Sequence, residues 1–309
     1  MDFKIKGKWF WIVVLFVLLL IILFFWQPWK YNYYTSDLNP VSIVSTFGME
    51  KNHIEKHRGQ LRIEIPKTYE LLHIIISLGE YGQSSNMVYK DTDYYQEVQK
   101  YFKDYSSHPI VNKLSDSLRN SRSNYNKWKN YSAYYYFKDN KLRANSNYSF
   151  YSENNFSSNL DLFSDFAQKS SFLEFYKQHQ DFYQSQINQF EKNSMISEIW
   201  RWLEINFPAE YDSHRIIFSP LAGSTPHNTF AFKANNYDYQ ETFIFVQGLD
   251  SYSQSFNGGL TQEQQRGLFI SNLFTEIDHN YVNPVTNNYL SDIAPAFSNL
   301  EKWNQQHGY

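Results

Sequence analysis

Three residues of one predicted helix have the spacing of a hydrolytic zinc site, but one of them has the wrong side chain. The stretch LFTEIDHNYVNP, residues 273–284, contains Glu276 and His279, with Thr275 four positions before the histidine. Side chains four residues apart share one helix face, and in an H-E-x-x-H motif two histidines placed this way bind zinc while the glutamate activates the bound water. A threonine stands in place of the first histidine, so the pattern lacks one of its ligands.

Two other segments accompany this motif. YFKDYSSHPIV (101–111), HRIIFSPLAG (214–223) and FTEIDHNYVNP (274–284) follow one another along the chain. In this order and spacing they resemble a poorly characterised bacterial family, a domain of unknown function in which an H-E-x-x-H-x-x-x-N-P segment indicates a zincin-type metallopeptidase. The resemblance extends over approximately residues 60–300, and it implies a zincin-like domain.

The resemblance also implies roles for individual residues. Glu276 corresponds to the general base, His279 to the second zinc ligand, and Asn283 with Pro284 to the segment that ends the active-site helix. Thr275 stands where the first ligand belongs. The third ligand of such families, commonly a glutamate from a downstream helix, has no counterpart that we recognise in the 25 residues after Pro284. We therefore expect a chain that is both substituted and C-terminally shortened relative to that family.

These departures remove the usual chemistry of the motif. Catalytic zinc commonly has three protein ligands and a water, with imidazole nitrogens at ~2.0–2.1 Å. A threonine hydroxyl is a weak ligand because it keeps its proton near neutral pH. We therefore expect Glu276 to be a vestigial general base and His279 a vestigial ligand, with Thr275 at the position of the lost one. No cofactor is expected, and zinc is the metal that this site could still take.

Three functions are compatible with this pattern. The first is a catalytically inactive, zincin-like pseudoenzyme whose cleft binds a peptide or a glycan. The second is a metal-dependent peptidase with a rebuilt ligand set, in which His214 or His227 joins Glu276 and His279 from the β-rich segment. The third is an anchored structural or interaction domain, in which Glu276 and His279 form an ordinary polar pair on a helix face. We expect the first, and hence no peptidase activity by the usual zincin mechanism.

Composition excludes several other classes of protein. The chain has 28 Lys and Arg against 31 Asp and Glu and no long run of one sign, so it lacks the basic stripe that binds nucleic acid. It contains no cysteine, which excludes disulfides and thiolate ligands. Aromatic residues make up 19% of the chain. They indicate either a surface that stacks on sugars or peptides or the coding bias of an AT-rich genome.

The N-terminus contains the longest apolar run of the sequence. Residues 9–26, WFWIVVLFVLLLIILFFW, carry no charge and are long enough to cross most of a bilayer core. Three lysines precede the run and Lys30 follows it, which predicts a cytoplasmic N-terminus. No small-residue cleavage site follows, so an uncleaved anchor is favoured over a signal peptide.

The predicted organisation follows from this anchor. Residues 1–8 are expected in the cytoplasm, 9–26 in the membrane, 27–58 in a tether and 59–309 in one extracytoplasmic domain. The protein is thus expected in the cell membrane as a single-pass protein, with the membrane as one partner and a peptide or glycan in the cleft as another. No pattern in the sequence indicates an oligomeric state.

Hydrophobic periodicity predicts an α+β domain that is mainly helical, with a small β-sheet. QLRIEIP (60–66) alternates like a short strand, residues 172–190 have a long helical stripe, and short β-rich runs begin at residue 214. Caps are predicted for three helices: Asp91 or Thr92 at one, Thr261 with Gln264 as a capping box at another, and His108, next to Pro109, at a third. His179 lies in the helical stripe, where a packing role is expected.

Overall fold

The computed structural model describes residues 43–46, 48–148, 155–224, 227–254, 259–293 and 295. Its strands, in chain order, are β1 (Ile43–Ser45), β2 (Leu61–Glu64), β3 (Tyr135–Lys138), β4 (Lys141–Ala144), β5 (Ser213–Ile217), β6 (Asn228–Lys233) and β7 (Gln240–Phe245). Within the described ranges, β3 and β4 form a separate hairpin, and the other five strands form one sheet in the order β1-β6-β7-β5-β2. The sheet is mixed, because β2, β5 and β7 are parallel to one another whereas β6 is antiparallel to β7.

Helices make up most of the remaining chain. They are α1 (Lys51–His57), α2 (Lys67–Leu78), α3 (Glu80–Ser84), α4 (Asp93–Phe102), α5 (Pro109–Asn120), α6 (Asn124–Ser132), α7 (Leu160–Lys169), α8 (Phe172–Gln178), α9 (Gln180–Ser194), α10 (Ile196–Asn206), α11 (Leu249–Gln254), α12 (Gln262–Asn288) and α13 (Leu290–Ile293). The fold is therefore α+β, with a small mixed sheet and a large helical part.

The sheet is buried on both faces. Ile216 and Ile244 point into one apolar core with residues of the surrounding helices, whereas Phe243 and Phe245 point into a second core on the other face. Strands that are covered on both sides have nearly continuous apolar sequences rather than alternating ones. This explains why the sequences of β5, β6 and β7 contain nearly continuous apolar runs such as TFIFV.

The carboxyl ends of the three parallel strands lie at one edge of the sheet. At that edge β2 leads through Pro66 into α2, β5 is followed by Ser219 and Pro220, and β7 is followed by Gln247 and Gly248. In open sheets of parallel strands, ligands commonly bind just outside this edge, because the connections leave a crevice there.

The three predicted caps are confirmed. Thr92 accepts a hydrogen bond from the amide of Tyr95 at 3.0 Å at the start of α4. Thr261 and Gln264 form a reciprocal capping box at the start of α12. His108 precedes α5 and its Nδ1 accepts from the amide of Ile110 at 3.3 Å. Each cap satisfies backbone N–H groups that have no partner within their helix.

The predicted fold class, a transmembrane helix followed by a mainly helical zincin-like domain with a small β-sheet, is wrong as stated. Among the described residues, no helix combines the length and the apolar composition needed to cross a bilayer. Even the 27-residue α12 carries charged residues such as Glu263, Arg266 and Asp278, because it buries only one face in the core. The run 9–26, on which the transmembrane prediction rests, lies outside the described residues.

Two further predictions differ from the structure. Residues 27–58 were expected to form a tether, but β1 and α1 lie in this range, and β1 pairs with β6 at the edge of the sheet. Asn283 and Pro284 were expected to end their helix, but α12 continues through Pro284 to Asn288. The first difference arises because β1 is stabilised by a partner strand far away in the sequence, which local periodicity does not report.

Candidate functional site

The motif that the sequence singles out lies on α12, and the structure adds one histidine to it. Nδ1 of His279 lies 3.9 Å from Oε2 of Glu276, and Nδ1 of His227, just before β6, lies 3.9 Å from Oε1 of the same carboxylate. Glu276 is 18% exposed, whereas Thr275 is on the surface and donates to the carbonyl of Asn272 at 2.8 Å. The carboxylate thus lies between two imidazoles.

His214, the other histidine considered for a rebuilt site, does not join this group. Its ring stacks on Trp200 with 3.7 Å between ring centroids, and its Nδ1 lies 2.9 Å from Oγ1 of Thr242. Nε2 faces Glu204 at 3.4 Å. Burial lowers the pKa of His214, so this histidine is a packed core residue.

We call the group of His227, Glu276 and His279 the α12 cluster. A buried lysine affects the pKa values of two of its members. Lys129 of α6 is fully buried, with Nζ 4.9 Å from the ring centroid of Phe245, and burial lowers its pKa to about 7 although Glu276 opposes the shift. Burial raises the pKa of Glu276, against the influence of His279 and Lys129. Burial and Lys129 lower the pKa of His227 to about 4, so that imidazole is neutral at pH 7.

The spacing of side chains in the α12 cluster differs from that of a preformed tetrahedral zinc site. Within the part of the chain that the structure describes, no group of three or more His, Cys, Asp or Glu side chains is arranged to hold a metal. If an ion lay ~2.1 Å from a nitrogen and from an oxygen that are 3.9 Å apart, the angle between these two ligands at the ion would be about 136°. This angle is much wider than the angle between ligands of tetrahedral zinc. The arrangement is a polar cluster in which His227, just before β6, meets Glu276 and His279 of α12.

A second site lies at the carboxyl edge of the sheet. It is a cavity of about 590 Å³, in the size range of small-molecule sites. Its walls come from the loop before α4, the start of α4, the middle of α9 and the segments that follow β5 and β7. The lining residues are Tyr89, Lys90, Asp91, Thr92, Asp93, Tyr94, Gln96, Phe182, Gln186, Pro220, Gly248, Asp250 and Ser251. We call this cavity the edge pocket.

The edge pocket combines aromatic rings with carboxylates. Tyr89 and Phe182 are half-buried, so their rings are partly accessible. Burial, together with the charges of Asp250 and Asp91, raises the pKa of Tyr89 to about 12. Nε2 of Gln186 donates to Oδ2 of Asp250 at 3.1 Å, which ties α9 to the start of α11.

A buried carboxyl group lies behind one wall of the edge pocket. Tyr94 packs its ring against Phe182, with 4.8 Å between centroids, and its hydroxyl donates to Oε1 of Glu70 at 2.6 Å. The hydroxyl of Tyr183 lies 2.6 Å from that of Tyr94. Burial raises the pKa of Glu70 to about 7, although the hydroxyls of Ser219 and Tyr94 lower it. The wall is therefore a packed, hydrogen-bonded unit.

Sequence reasoning missed the edge pocket. Tyr94 is a buried residue of α4 and Phe182 lies in the helical stripe of residues 172–190, but both also line the cavity. The available signal was the aspartates in the two segments KDTD (90–93) and GLD (248–250), which no periodicity explains. These segments meet because the chain just before KDTD pairs with the chain after β5, through the Val88–Ala222 bridge, and β5 is a parallel neighbour of β7.

The chain matches no protein-family model, no curated protein and no solved structure. The candidate sites are therefore interpreted from their own residues.

Proposed function

We propose that this protein is a ligand-binding protein whose site is the edge pocket, and that it takes a small polar organic molecule. The observation that carries the proposal is the position of an aromatic and acidic cavity beside the segments that follow the carboxyl ends of the parallel strands β5 and β7. Binding sites of α/β sheets concentrate at this edge, and a few polar groups among apolar walls are the usual composition of such sites.

Contacts within the protein hold the walls of the edge pocket in place before a ligand binds. Gln186 holds Asp250 by a hydrogen bond at 3.1 Å, and Tyr94 holds Phe182 from behind by ring stacking. Side chains that are already fixed lose little conformational entropy when a ligand arrives, so more of the contact energy appears as affinity. Partly accessible faces of Tyr89 and Phe182 suit a ligand with flat or apolar faces.

In this proposal the α12 cluster is a stabilising polar face and has no role as a metallopeptidase centre. Its support is the geometry described above: Thr275 is a surface threonine, and the spacing of His227, Glu276 and His279 is wrong for tetrahedral zinc. The proposed ligand, a small polar organic molecule in the edge pocket, differs from the peptide or glycan that the sequence suggested for a cleft.

The test is a ligand screen with a pair of matched variants. Gln186→Trp fills the edge pocket from α9, whereas Gln184→Trp makes the same change on the exposed side of the same helix. Ligand-observed NMR with a library of small amines, amino acids and sugars should find binders that Gln186→Trp abolishes and Gln184→Trp keeps. The proposal fails if the library contains no binder, or if every binder tolerates Gln186→Trp.

A further inference from the structure

The charged groups that line the edge pocket are mostly negative. Asp91, Asp93 and Asp250 face one cation, Lys90. The ammonium group of Lys90 donates a hydrogen bond to the carbonyl of Ser85 at 2.6 Å, so this cation is bound to the protein backbone. A ligand in this pocket therefore meets a net negative wall.

Two of the carboxylates converge from different parts of the chain. Asp91 lies in the loop before α4, and Asp250 lies at the start of α11. Both charges contribute to the raised pKa of Tyr89, which places this phenol within the field of both. Asp93 and Asp250 lie in the first turns of α4 and α11, where the helix dipole stabilises a negative charge, and Asp250 also accepts a hydrogen bond from Gln186. Asp91 and Asp250 are the two carboxylates of the lining whose charges act on the phenol of Tyr89.

Aromatic rings complete the same surface. Phe182 is half-buried over the buried ring of Tyr94, and Tyr89 is a second half-buried aromatic residue of the lining. The faces of aromatic rings attract cations within about 6 Å of the ring centroid, and this attraction adds to that of nearby carboxylates. A neutral sugar would stack on the same rings but would gain nothing from the two charges.

A buried carboxyl group also lies behind the wall. Glu70 is fully buried, and Tyr94 connects it to the pocket because the Tyr94 hydroxyl donates to its carboxyl oxygen. This buried carboxyl is an observation independent of the surface aspartates. Above about pH 7, where it is ionised, it adds negative potential behind the aromatic rings, because ions in solvent screen a buried charge only weakly.

We infer that the ligand of the edge pocket is a small organic cation, an ammonium compound whose charge lies between Asp91 and Asp250 and whose carbon groups contact Tyr89 and Phe182. The inference rests on the proposed function of this pocket, and it adds the chemical class of the ligand.

The test compares cations with neutral molecules of the same shape, on the full chain, by isothermal titration calorimetry. The probes are choline against 3,3-dimethyl-1-butanol, and cadaverine against 1,5-pentanediol. In each pair we expect the cation to bind at least about tenfold more tightly, since it gains two carboxylates and the ring faces. Added salt should weaken the binding of the cation and leave the neutral molecule unaffected.

Variants identify the residues. Asp91→Asn and Asp250→Asn keep the shape of the side chains and should each weaken cation binding about threefold. Asp104→Asn, an exposed aspartate outside the pocket, is the matched control and should change nothing. Thermal unfolding of each variant verifies that it is folded.

The outcomes separate this inference from the function on which it rests. If a neutral molecule binds as tightly as its cation and Gln186→Trp abolishes both, the pocket binds ligands but the inference is wrong. If a cation still binds to Gln186→Trp, it binds elsewhere and the inference is also wrong. If neither cations, their neutral counterparts nor the sugars and amino acids of the screen bind, both proposals are overturned.

Discussion

The hydroxyl of Tyr211 donates a hydrogen bond to the backbone carbonyl of Asn280 at 2.9 Å. This carbonyl is four residues before Pro284, and proline has no N–H with which to satisfy it. Asn280 itself is fully buried, and its Nδ2 donates to Oγ1 of Thr229 on β6 at 2.5 Å. A side chain from outside the helix thus replaces the missing backbone donor, which explains how α12 continues past a proline.

The first prediction concerns this bond. Tyr211→Phe should lower the free energy of unfolding by about 1–3 kcal/mol, because a buried carbonyl loses its donor. Urea unfolding measures the change, and Tyr237→Phe, at an exposed tyrosine, is the control. The loss should be smaller in a Pro284→Ala background, where the backbone again supplies an N–H. An equal loss in both backgrounds would contradict this explanation.

The second prediction is a dependence of stability on pH that comes from Glu70. Burial raises its pKa from 4.5 to about 7 in the folded protein. Between these two values the folded state binds more protons than the unfolded state, so the contribution of Glu70 is fully present below about pH 4.5 and is lost as the pH rises through 7. The loss amounts to about 3 kcal/mol.

Glu70→Gln should remove this dependence. The difference in unfolding free energy between this variant and the parent should shift by about 3 kcal/mol in favour of the variant between pH 4.5 and pH 8, as measured by urea unfolding. The difference between variant and parent cancels the contributions of the other carboxylates, which titrate in the opposite direction, because both proteins contain them. Glu191→Gln, at an exposed position, should show no such shift. A constant difference for Glu70→Gln would mean that its carboxyl is ionised throughout.

The third prediction concerns the helix face of α12. Thr275 is exposed and lies one turn before His279, so Thr275→His should create a two-histidine face that gains zinc or cobalt. Elemental analysis should find substoichiometric zinc in the parent and metal in the variant, and His279→Ala should abolish the gain. Thr286→His changes an exposed threonine of the same helix and is the control. Stoichiometric zinc in the parent, lost in His279→Ala, would overturn our interpretation of this motif.

The fourth prediction compares a buried ion pair with an exposed one. Glu241 is fully buried and pairs with Arg62, and although burial alone would raise its pKa, His53, Arg62 and Tyr148 lower it to about 2. Arg62→Met leaves this charge with fewer partners and should cost about 3–5 kcal/mol. Exposed Arg119 pairs with Glu80 at 2.7 Å, and Arg119→Met should cost at most about 1 kcal/mol. If denaturant titrations show the same loss of unfolding free energy for both variants, burial does not determine how much an ion pair contributes to stability.

Local chemistry could be predicted from the sequence, since its causes lie within a few residues. The caps formed by Thr92, His108 and Thr261 each depend on a side chain and a backbone amide two or three positions away. The packing role of His179 is confirmed as well: Nδ1 bonds to the carbonyl of Phe175 at 2.8 Å and Nε2 faces Glu97 at 2.8 Å. Such contacts require no knowledge of the sheet.

The candidate site could not be predicted in the same way. His227 reaches Glu276 only because β6 lies beside α12, and His214, an equally plausible partner by sequence, turns instead toward Trp200. Asp91 and Asp250 share a pocket because the loop before α4 bridges to the chain after β5, at Val88 and Ala222, and β5 lies beside β7. Spacing along the chain specifies which side chains are available, whereas strand order decides which of them meet.

The pairing of β2 with β5 has a consequence for how the chain folds. Leu61 lies opposite His214, and all of the helices from α2 to α10 are placed between these two strands in the sequence. Closing so long a loop is entropically unfavourable until the intervening chain is compact, and proteins with many such distant pairings fold slowly. We expect the helices to collapse first and the sheet to close last. The edge pocket, which depends on that closure, would then be the latest part of the molecule to form.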